Sequence, residues 1–432
     1  MLKFAGDGDP VDLIQKKARN LVLEALQNGW EGPPYNPIML AEMLGANVRQ
    51  VYDVKDARTI NVGSKPEIQF NPTQTRERVR FSVAHEVAHL LFPDVLEVDR
   101  YRGGIRNVSD EWQLEMLCNL AAAEFVIPVV SFGFSDFVPS IEELMVERRK
   151  YDVSAEAFLI RLVQTSNLAL GVFCASPFED DDGGWRYRVN YFIPSPVAPL
   201  QRLDKQEVPK NSALYGCTAI GYTDAGSEDW FGQEPVRVEY VGVPGYPGSP
   251  LPRVLGLVRF GEAQSGLQPV RYVHGSVLQP RGEGAKLVCQ LVNDTALKWG
   301  GGVARQAARV FDGAESDFGR WMCAIPMKDR LGKVHFSKPL DDVYIASIVG
   351  QKGFGRSSMP RIRYRAIEEA LGSIRDFALM HEASIHMPQI GTGVAGGNWP
   401  VIEEMIEREL VREGIPVWVY SPPPKREQLE LF

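Results

Sequence analysis

Residues 81–92 read FSVAHEVAHLLF, and the pattern HEVAH at residues 85–89 lies inside this run of mostly small or apolar residues. The run predicts a buried helix, on which four residues advance about 6 Å and turn about 400°. His85 and His89 therefore project from one face and can bind a single ion. Two neutral imidazoles suit Zn²⁺, which takes three protein ligands and a water molecule at catalytic sites. Glu86 lies beside them, placed to take a proton from that water.

The same pattern also occurs by chance, as a helix that holds two histidines and a glutamate without a metal. Histidine is scarce in this chain, with 6 in 432 residues, so a chance pair at this spacing is the weaker explanation. The sequence therefore predicts a zinc site on this helix, with Glu86 as the catalytic base.

The size and composition of the chain predict a multidomain protein of ordinary globular character. Its 432 residues exceed the usual size of one hydrophobic core. The net charge of −8 supplies no general attraction to nucleic acid or membranes, although a local basic patch is compatible with it. Five scattered cysteines without a CxxC pair, and the lack of an apolar leader or a long apolar stretch, predict a reduced, cytoplasmic protein.

The hydrophobic pattern and the content of turn residues change along the chain, which predicts three blocks and a tail. Residues 1–167 combine helical patterns with short alternating stretches, which predict an α-rich domain. Residues 168–270 hold short β-like runs split by Gly, Pro and Asp, which predict a small β-rich module. Residues 271–421 alternate strand, loop and helix, which predicts a mixed sheet flanked by helices. With a flexible tail at residues 422–432, the predicted fold class is multidomain α+β.

The zinc motif leaves the metal one protein ligand short. A gluzincin-type site takes a glutamate from a nearby helix, and the acidic candidates downstream are Asp94, Glu97, Asp99, Asp110, Glu111, Glu115 and Glu124. Glu115 and Asn119 are four residues apart on a predicted helix, so Asn119 could hydrogen-bond a ligand side chain. Spacing alone does not separate Glu115 from Glu111, which is one turn away.

Residues 10–165 resemble the ImmA/IrrE-type zinc metallopeptidases. The resemblance rests on the zinc motif, on the pattern ExxCN…FVIP at residues 115–128, and on the stretch YDVS that leads to IRLVQ. Cys118 departs from it, because alanine is usual there. The resemblance implies that Glu115 is the third zinc ligand. It also implies an endopeptidase that cuts a specific protein, often a helix-turn-helix repressor, in response to stress.

Two glycine-rich loops mark the C-terminal block. The first follows the strand-like stretch KLVCQLV and the pair Asn293-Asp294, and the second follows SIHMPQI. Both precede a predicted helix, where backbone N–H groups can approach a phosphate. Turns also need glycine, and neither loop matches a Walker A or GxGxxG pattern. Two such loops at strand–helix boundaries nevertheless favour a ligand with a nucleotide diphosphate.

Residues 272–421 resemble a macrodomain, in particular the group that includes terminal ADP-ribose glycohydrolases. The resemblance rests on the stretches YVHGSVL, QLVND, GGGVA, YIASIV and MPQIGTGVAGGNW. It implies that both glycine loops wrap the diphosphate and distal ribose of ADP-ribose. The implied contact residues are Asn293, Asp294, Gly300, Gly301, Gly302, Val303, Ala304, Gly391, Thr392, Gly393, Val394, Ala395 and Gly396.

Two departures from that group bear on catalysis. The pair Gly275-Ser276 stands where Gly-Asp commonly contacts adenine, and Ala395 stands where hydrolysing members have an aspartate. Lys338 is a candidate for the reactive lysine of those members, although a plain surface lysine is the favoured explanation. These departures weaken the expectation of hydrolysis more than the expectation of binding.

The sequence leads to one main functional hypothesis and two alternatives. The main one is a zinc-dependent endopeptidase that cuts a specific protein, directed or regulated by ADP-ribose or an ADP-ribosylated macromolecule. The first alternative is an ADP-ribosyl-hydrolase that uses the zinc domain for recognition, and the second is a non-enzymatic ADP-ribose reader. Nucleic acid is a further candidate partner through four arginines beside the loops, although a solvated helix face is the better explanation for them: Arg356, Arg361, Arg363 and Arg365.

Overall fold

A computed structural model describes residues 8–421, except 64, 93–107, 134–137, 181–182, 200, 202, 204, 233–234, 247–248, 261–269, 312, 356 and 358. The chain divides into two compact units, residues 1–22 with 30–265, and residues 23–29 with 266–432. Some predictions lie outside the described residues: the tail at 422–432, the ligand candidates Asp94, Glu97 and Asp99, and Arg356. The side chains of Asp110 and Glu111 are outside them as well.

The first unit begins with two helices and a small sheet. Helix α1 is Pro10–Gln27 and α2 is Pro37–Met43, which starts where the Asn36 side chain accepts a hydrogen bond from the Ile38 amide. Strands β1 (Asn47–Gln50), β2 (Ala57–Val62) and β3 (Lys65–Phe70) form a sheet of order β1-β3-β2. Because β2 pairs antiparallel with β3 and has no second partner in this sheet, it is an edge strand.

Four helices follow in the same unit: α3 (Arg76–His89), α4 (Val108–Val126), α5 (Ile141–Tyr151) and α6 (Ala155–Thr165). Their buried faces are small or apolar, which lets α3 and α4 approach closely. On α3 the buried residues are Val83, Ala84, Val87 and Ala88, and on α4 they include Leu117, Cys118, Ala121, Ala122 and Phe125.

Residues Gln113–Ser131 are long and apolar enough, by length and composition alone, to cross a membrane. The expectation that the chain lacks a long apolar stretch is therefore wrong for this segment. Of this window 56% is buried inside the structure, and a core helix passes the same test, so the finding is weak evidence for a membrane span.

The β-rich module is one antiparallel sheet of order β5-β4-β8-β7-β6. Its strands are Leu170–Glu179 (β4), Trp185–Pro194 (β5), Thr223–Glu228 (β6), Val236–Val243 (β7) and Arg253–Arg259 (β8). A hydrogen bond to a buried carboxylate and a partly buried ion pair join the sheet to the helices. Glu239 accepts hydrogen bonds from the Ile141 amide that opens α5 and from Arg259, and Arg253 pairs with Glu156 of α6.

The second unit is a six-stranded mixed sheet of order β11-β12-β10-β13-β14-β9. The strands are Arg271–His274 (β9), Lys286–Asn293 (β10), Val334–Ser337 (β11), Val343–Gln351 (β12), Ser384–Pro388 (β13) and Val417–Ser421 (β14). Only β11 runs antiparallel to its neighbour within this described sheet. The carboxyl ends of the other five strands therefore meet at one edge.

The helices of the second unit connect these strands. They are α7 (Gly302–Val310), α8 (Ala314–Ala324), α9 (Tyr364–His381) and α10 (Trp399–Ile406), and a π-helical turn at Glu407–Val411 extends α10. One core lies between the sheet and α7 and α8, where Phe318 and Met322 pack against Val288 and Ile345.

The predicted multidomain α+β fold class is confirmed, with a mixed sheet flanked by helices at the C-terminal end. The boundaries proposed for three blocks stay a prediction, because the first compact unit takes in both the α-rich and the β-rich region.

Candidate functional site

Helix α3 places the two histidines of the zinc motif on one face. His85 and His89 are four residues apart and half-buried, while Val87 and Ala88 turn into the core. The apolar side of the helix fixes its rotation, so the imidazoles are directed together toward α4. Helix α4 meets them with Glu115, whose side chain is about half exposed.

The candidate ligand atoms converge on one point. The Nε2 atoms of His85 and His89 lie 3.2 Å apart, and the Glu115 carboxylate reaches His85 Nε2 at 3.0 Å and His89 Nε2 at 3.6 Å. Among the described residues, these three form a group whose ligand atoms all lie within 4.8 Å of one another. Two imidazole nitrogens and a carboxylate are a donor set that fits a catalytic zinc ion.

The outer nitrogen of each imidazole also has a partner on α4. His85 Nδ1 lies 2.9 Å from the Asn119 side-chain oxygen, and His89 Nδ1 lies 3.5 Å from Cys118 Sγ. An amide oxygen only accepts, so Asn119 holds the proton of His85 on Nδ1 and leaves Nε2 free. Asn119 therefore occupies the position that its spacing from Glu115 predicted.

Glu86 has a partner that sequence reasoning missed. The Thr59 hydroxyl donates a hydrogen bond of 2.7 Å to Glu86 Oε2 from the edge strand β2. This bond engages Oε2, and Oε1 is the carboxylate oxygen that takes no part in it. Because Thr59 precedes Glu86 by 27 residues and lies in a different element, no local spacing could reveal it.

The electrostatics of the centre favour neutral nitrogen and sulfur groups. Burial lowers the pKa of His89, and neighbouring His85 lowers it further, while the carboxylates of Glu86 and Glu115 act in the opposite direction. Burial raises the pKa of the Cys118 thiol, and the charges of Glu115 and Glu86 add to this. The imidazole of His89 is thus available as a ligand, and Cys118 stays a thiol.

A second candidate site lies at the carboxyl edge of the C-terminal sheet. Strand β10 ends at Asn293, and the glycine loop that follows leads into α7, which starts at Gly302 without a side-chain cap. Gly302 has a φ of +57°, a conformation that favours glycine, and a Cβ built on Gly300 or Gly301 would meet nothing within 4 Å. This exposed helix start can accept an anion.

The second loop, residues 391–397, starts from the same edge because β13 runs parallel beside β10. Gly391 has a φ of +78°, and a Cβ there would lie 2.5 Å from Ile362 Cδ1, so the loop needs glycine at this point. The Gly397 amide donates to Gly391 O at 2.8 Å, which closes the loop on itself. Gly393 faces open space, since a Cβ there would meet nothing within 4 Å.

Polar groups behind the loops are held by the protein. Asn293 accepts from the amide and hydroxyl of Thr295, and buried Asp294 accepts from the Gly353 amide at 2.7 Å. Arg363 lies near Asp294, and burial lowers the pKa of its guanidinium while Asp294 raises it. Asn293 and Asp294 are thus placed at the predicted edge, with their side chains already engaged.

The structure does not bring Lys338 to these loops. Lys338 follows β11, and its ammonium lies 5.4 Å from the ring centroid of Tyr344, at the amino end of β12. The loops follow the carboxyl ends of β10 and β13, about 20 Å away along strands of this length. The reactive role of Lys338 stays a prediction, and the antiparallel β11 places this residue at the end of the sheet away from the two loops.

The structure also describes the two positions that depart from the macrodomain pattern, Ala395 and Ser276. Ala395 is buried, with 4% of its surface exposed, and its carbonyl accepts from the amides of Arg361 and Ile362. Ser276 accepts from the Leu278 amide in the turn after β9. Val303 and Ala304 lie in the first turn of α7, while Thr392, Val394 and Gly396 line the second loop.

A comparison with protein families finds a match in the N-terminal part of the chain. Residues 41–163 match the family described as IrrE N-terminal-like domain, a range that contains all three candidate ligands. The radiation response metalloprotease IrrE of Deinococcus deserti is 32% identical over 124 residues, which are 27% of this chain and 43% of that protein.

Two further proteins match over other shares of the chain. A chromodomain-helicase-DNA-binding protein 1-like of Danio rerio is 32% identical over 174 residues, 38% of this chain and 16% of that protein. A solved macrodomain protein from Streptomyces coelicolor is 34% identical, with a TM-score of 0.31, and the match covers 36% of this chain and 99% of that one.

The chain spans less than half the length of the curated relatives it matches. The predicted resemblance to an IrrE-type metallopeptidase domain is confirmed as a similarity.

Proposed function

We propose that the chain is a zinc-dependent endopeptidase whose C-terminal unit binds ADP-ribose and directs or regulates cleavage. The observation that carries the proposal is the convergence of His85, His89 and Glu115 within 4.8 Å. Glu86 lies next to His85 in the same helix, with one carboxylate oxygen fixed by Thr59. A purely structural zinc site would need a fourth protein ligand, and it would not need this glutamate.

The roles of the residues follow from their positions. His85 and His89 would hold the ion through Nε2, and Glu115 through its carboxylate. When bound, Zn²⁺ polarises a water molecule and the carbonyl of the scissile peptide bond. Glu86 would accept the proton of that water at Oε1 and transfer it to the departing amine. Asn119 keeps the His85 ring in the tautomer that this arrangement needs.

The edge strand β2 supports a protein substrate. An extended peptide can add to an exposed sheet edge through main-chain hydrogen bonds. A peptide that paired with β2 would run past Thr59, whose hydroxyl contacts the catalytic carboxylate at 2.7 Å. The geometry thus favours an extended polypeptide over a small molecule, and a repressor, as the resemblance implies, is one protein of this kind.

The test of this activity compares the wild-type chain with Glu86→Gln. Because the substrate is unidentified, the probe is a peptide library derived from a bacterial proteome, read by mass spectrometry after incubation with zinc-loaded protein. Glu86→Gln keeps the metal ligands, so it should bind zinc normally and lose cleavage by about 10²–10⁴-fold. Identical peptide profiles for both proteins would contradict the peptidase assignment.

The proposal for ADP-ribose rests on the two glycine loops at one edge of the sheet. The start of α7 offers backbone N–H groups to a phosphate, and the open Gly393 lets a ligand approach the second loop. Calorimetric titration with ADP-ribose tests binding. Cleavage measured with and without ADP-ribose tests regulation, for which a coupling of about 1–3 kcal/mol would suffice. Equal cleavage rates with and without ADP-ribose would contradict the regulation. They would leave the proposed zinc site and the proposed ADP-ribose site unaffected.

The hydrolase alternative loses support from the structure, because Lys338 lies at the opposite end of the sheet from the loops. The reader alternative, in which zinc is structural, predicts that Glu86→Gln changes nothing. The comparison of wild type with Glu86→Gln therefore separates it from the peptidase.

A further inference from the structure

One turn of α4 presents three groups to the two histidines of α3. Glu115, Cys118 and Asn119 occupy positions i, i+3 and i+4, which share a helix face. Glu115 contacts both Nε2 atoms, and Asn119 and Cys118 each contact one Nδ1 atom. Each imidazole is therefore held at both of its nitrogens by the same helix.

The position of Cys118 excludes two ordinary roles for a cysteine at a metal centre. Its sulfur contacts His89 at Nδ1, on the opposite side of the ring from Nε2, so it does not face the ion. It also lies outside the group of converging ligand atoms. Its exposure of 0% removes it from any solvent nucleophile or oxidation chemistry.

The sulfur of Cys118 lies beside a ring nitrogen that can need a hydrogen-bond partner. A neutral imidazole that gives Nε2 to a metal carries its proton on Nδ1, and this N–H needs an acceptor when it is buried. Sulfur is a weak but competent acceptor, and the 3.5 Å separation is within the range for such bonds.

We propose that Cys118 is a positioning residue of the metal centre, whose sulfur accepts a hydrogen bond from His89 Nδ1–H and directs His89 Nε2 at the ion. This inference rests on the proposed zinc peptidase and adds a determinant of metal affinity to it. The two histidines are then held unequally. The amide oxygen of Asn119 lies 2.9 Å from its imidazole, and the softer thiol lies 3.5 Å from its own.

The test measures zinc affinity of the purified full chain by competition with a fluorescent chelator, so it needs no substrate. Cys118→Ala removes the acceptor and should weaken zinc binding by about tenfold, at the lower end for an outer partner of a ligand histidine. Cys118→Ser restores an acceptor and should stay within about threefold of wild type. Cys217→Ala, which removes another buried thiol in the β-rich module, should change nothing.

The outcomes distinguish the proposed role of Cys118 from the proposed zinc peptidase on which it rests. Failure of the wild type to bind zinc would contradict the peptidase itself. Normal zinc binding by the wild type with equal affinity in Cys118→Ala would overturn only the role of Cys118. Equal losses in Cys118→Ala and Cys118→Ser would assign the effect to packing of the sulfur and would overturn it too. Thermal unfolding of each metal-free variant checks that the fold is intact.

Discussion

The metal centre and the glycine-loop edge are built from different parts of the chain. In the proposed metal centre, side chains on two packed helices supply every candidate ligand atom, and their spacing in the sequence sets the geometry. At the glycine-loop edge the backbone would provide the proposed contacts, and sheet order brings together loops that are about 90 residues apart. Replacing one functional group should change the affinity of a site that is made of side chains. In a site that is made of backbone, the affinity should change when an added side chain fills the space for the ligand.

The largest expected effect is at Glu115, because the loss of a ligand should exceed the loss of an outer partner. Glu115→Gln replaces a charged ligand with a neutral amide and should weaken zinc binding by more than about 100-fold. Glu42→Gln, on the exposed side of α2, is the matched control and should leave the affinity unchanged. Chelator competition measures both variants. Normal zinc binding in Glu115→Gln would mean that another acidic residue completes the centre.

A buried histidine in the C-terminal sheet differs in its surroundings from the two histidines of the proposed metal centre. Unlike the pair in the metal centre, His386 in β13 is fully buried between the hydroxyls of Ser384 and Tyr420, at 2.9 and 3.0 Å. Burial, with a smaller contribution from Lys286, lowers the pKa of His386 to about 4.

The unfolded state takes up a proton on this ring below about pH 6.5, and the folded state does not until about pH 4. The free energy of unfolding should therefore fall by roughly 2–3 kcal/mol as the pH drops through this window, and should not depend on His386 above it. Urea unfolding of wild type and His386→Asn at several pH values measures this difference. The same pH slope in both proteins would show that His386 is not the group responsible.

At the glycine-loop edge, charge should matter more than size. Gly393→Glu places a carboxylate in open space beside the predicted phosphates, and we expect ADP-ribose binding to weaken by about tenfold or more. Gly393→Gln has nearly the same size without the charge and should lose less. Calorimetric titration compares the two. Equal losses would indicate that the loop rejects bulk, and unchanged affinities would place the ligand elsewhere.

The smallest effect should come from Lys338, at the opposite end of the sheet. Lys338→Ala removes a cation that contacts Tyr344 and should leave ADP-ribose affinity within about twofold of wild type. The same titration tests this, and a large loss would contradict the placement of the ligand at the carboxyl edge.

The sequence predicted those features that depend on local spacing. The pair His85 and His89 follows from one helical turn, and Asn119 follows from its distance to Glu115 once α4 is recognised. Thr59 could not be predicted, because its contact with Glu86 depends on how β2 packs against α3. Cys118 drew notice only as a departure from the usual alanine, and its contact with His89 depends on the rotation of α4.

Two elements of the structure have only a weak signal in the sequence, and each has a physical reason. Strand β6 reads TDAGSE, which lacks an apolar alternation, and pairing with β7 holds it in place. Helix α8 contains Gly319, which lowers helix propensity in the sequence. A Cβ at Gly319 would lie 2.7 Å from Leu297 O, so the close packing of the chain needs glycine there. In both cases tertiary contacts outweigh local preference.

X-ray absorption at the zinc edge of the purified full chain tests the central claim most directly. The account predicts one zinc per chain with four nitrogen or oxygen neighbours at about 2.0–2.1 Å, including two imidazoles, and no sulfur. A sulfur neighbour at about 2.3 Å would make Cys118 a ligand and contradict the arrangement. Protein that retains no zinc would contradict the metal centre as a whole.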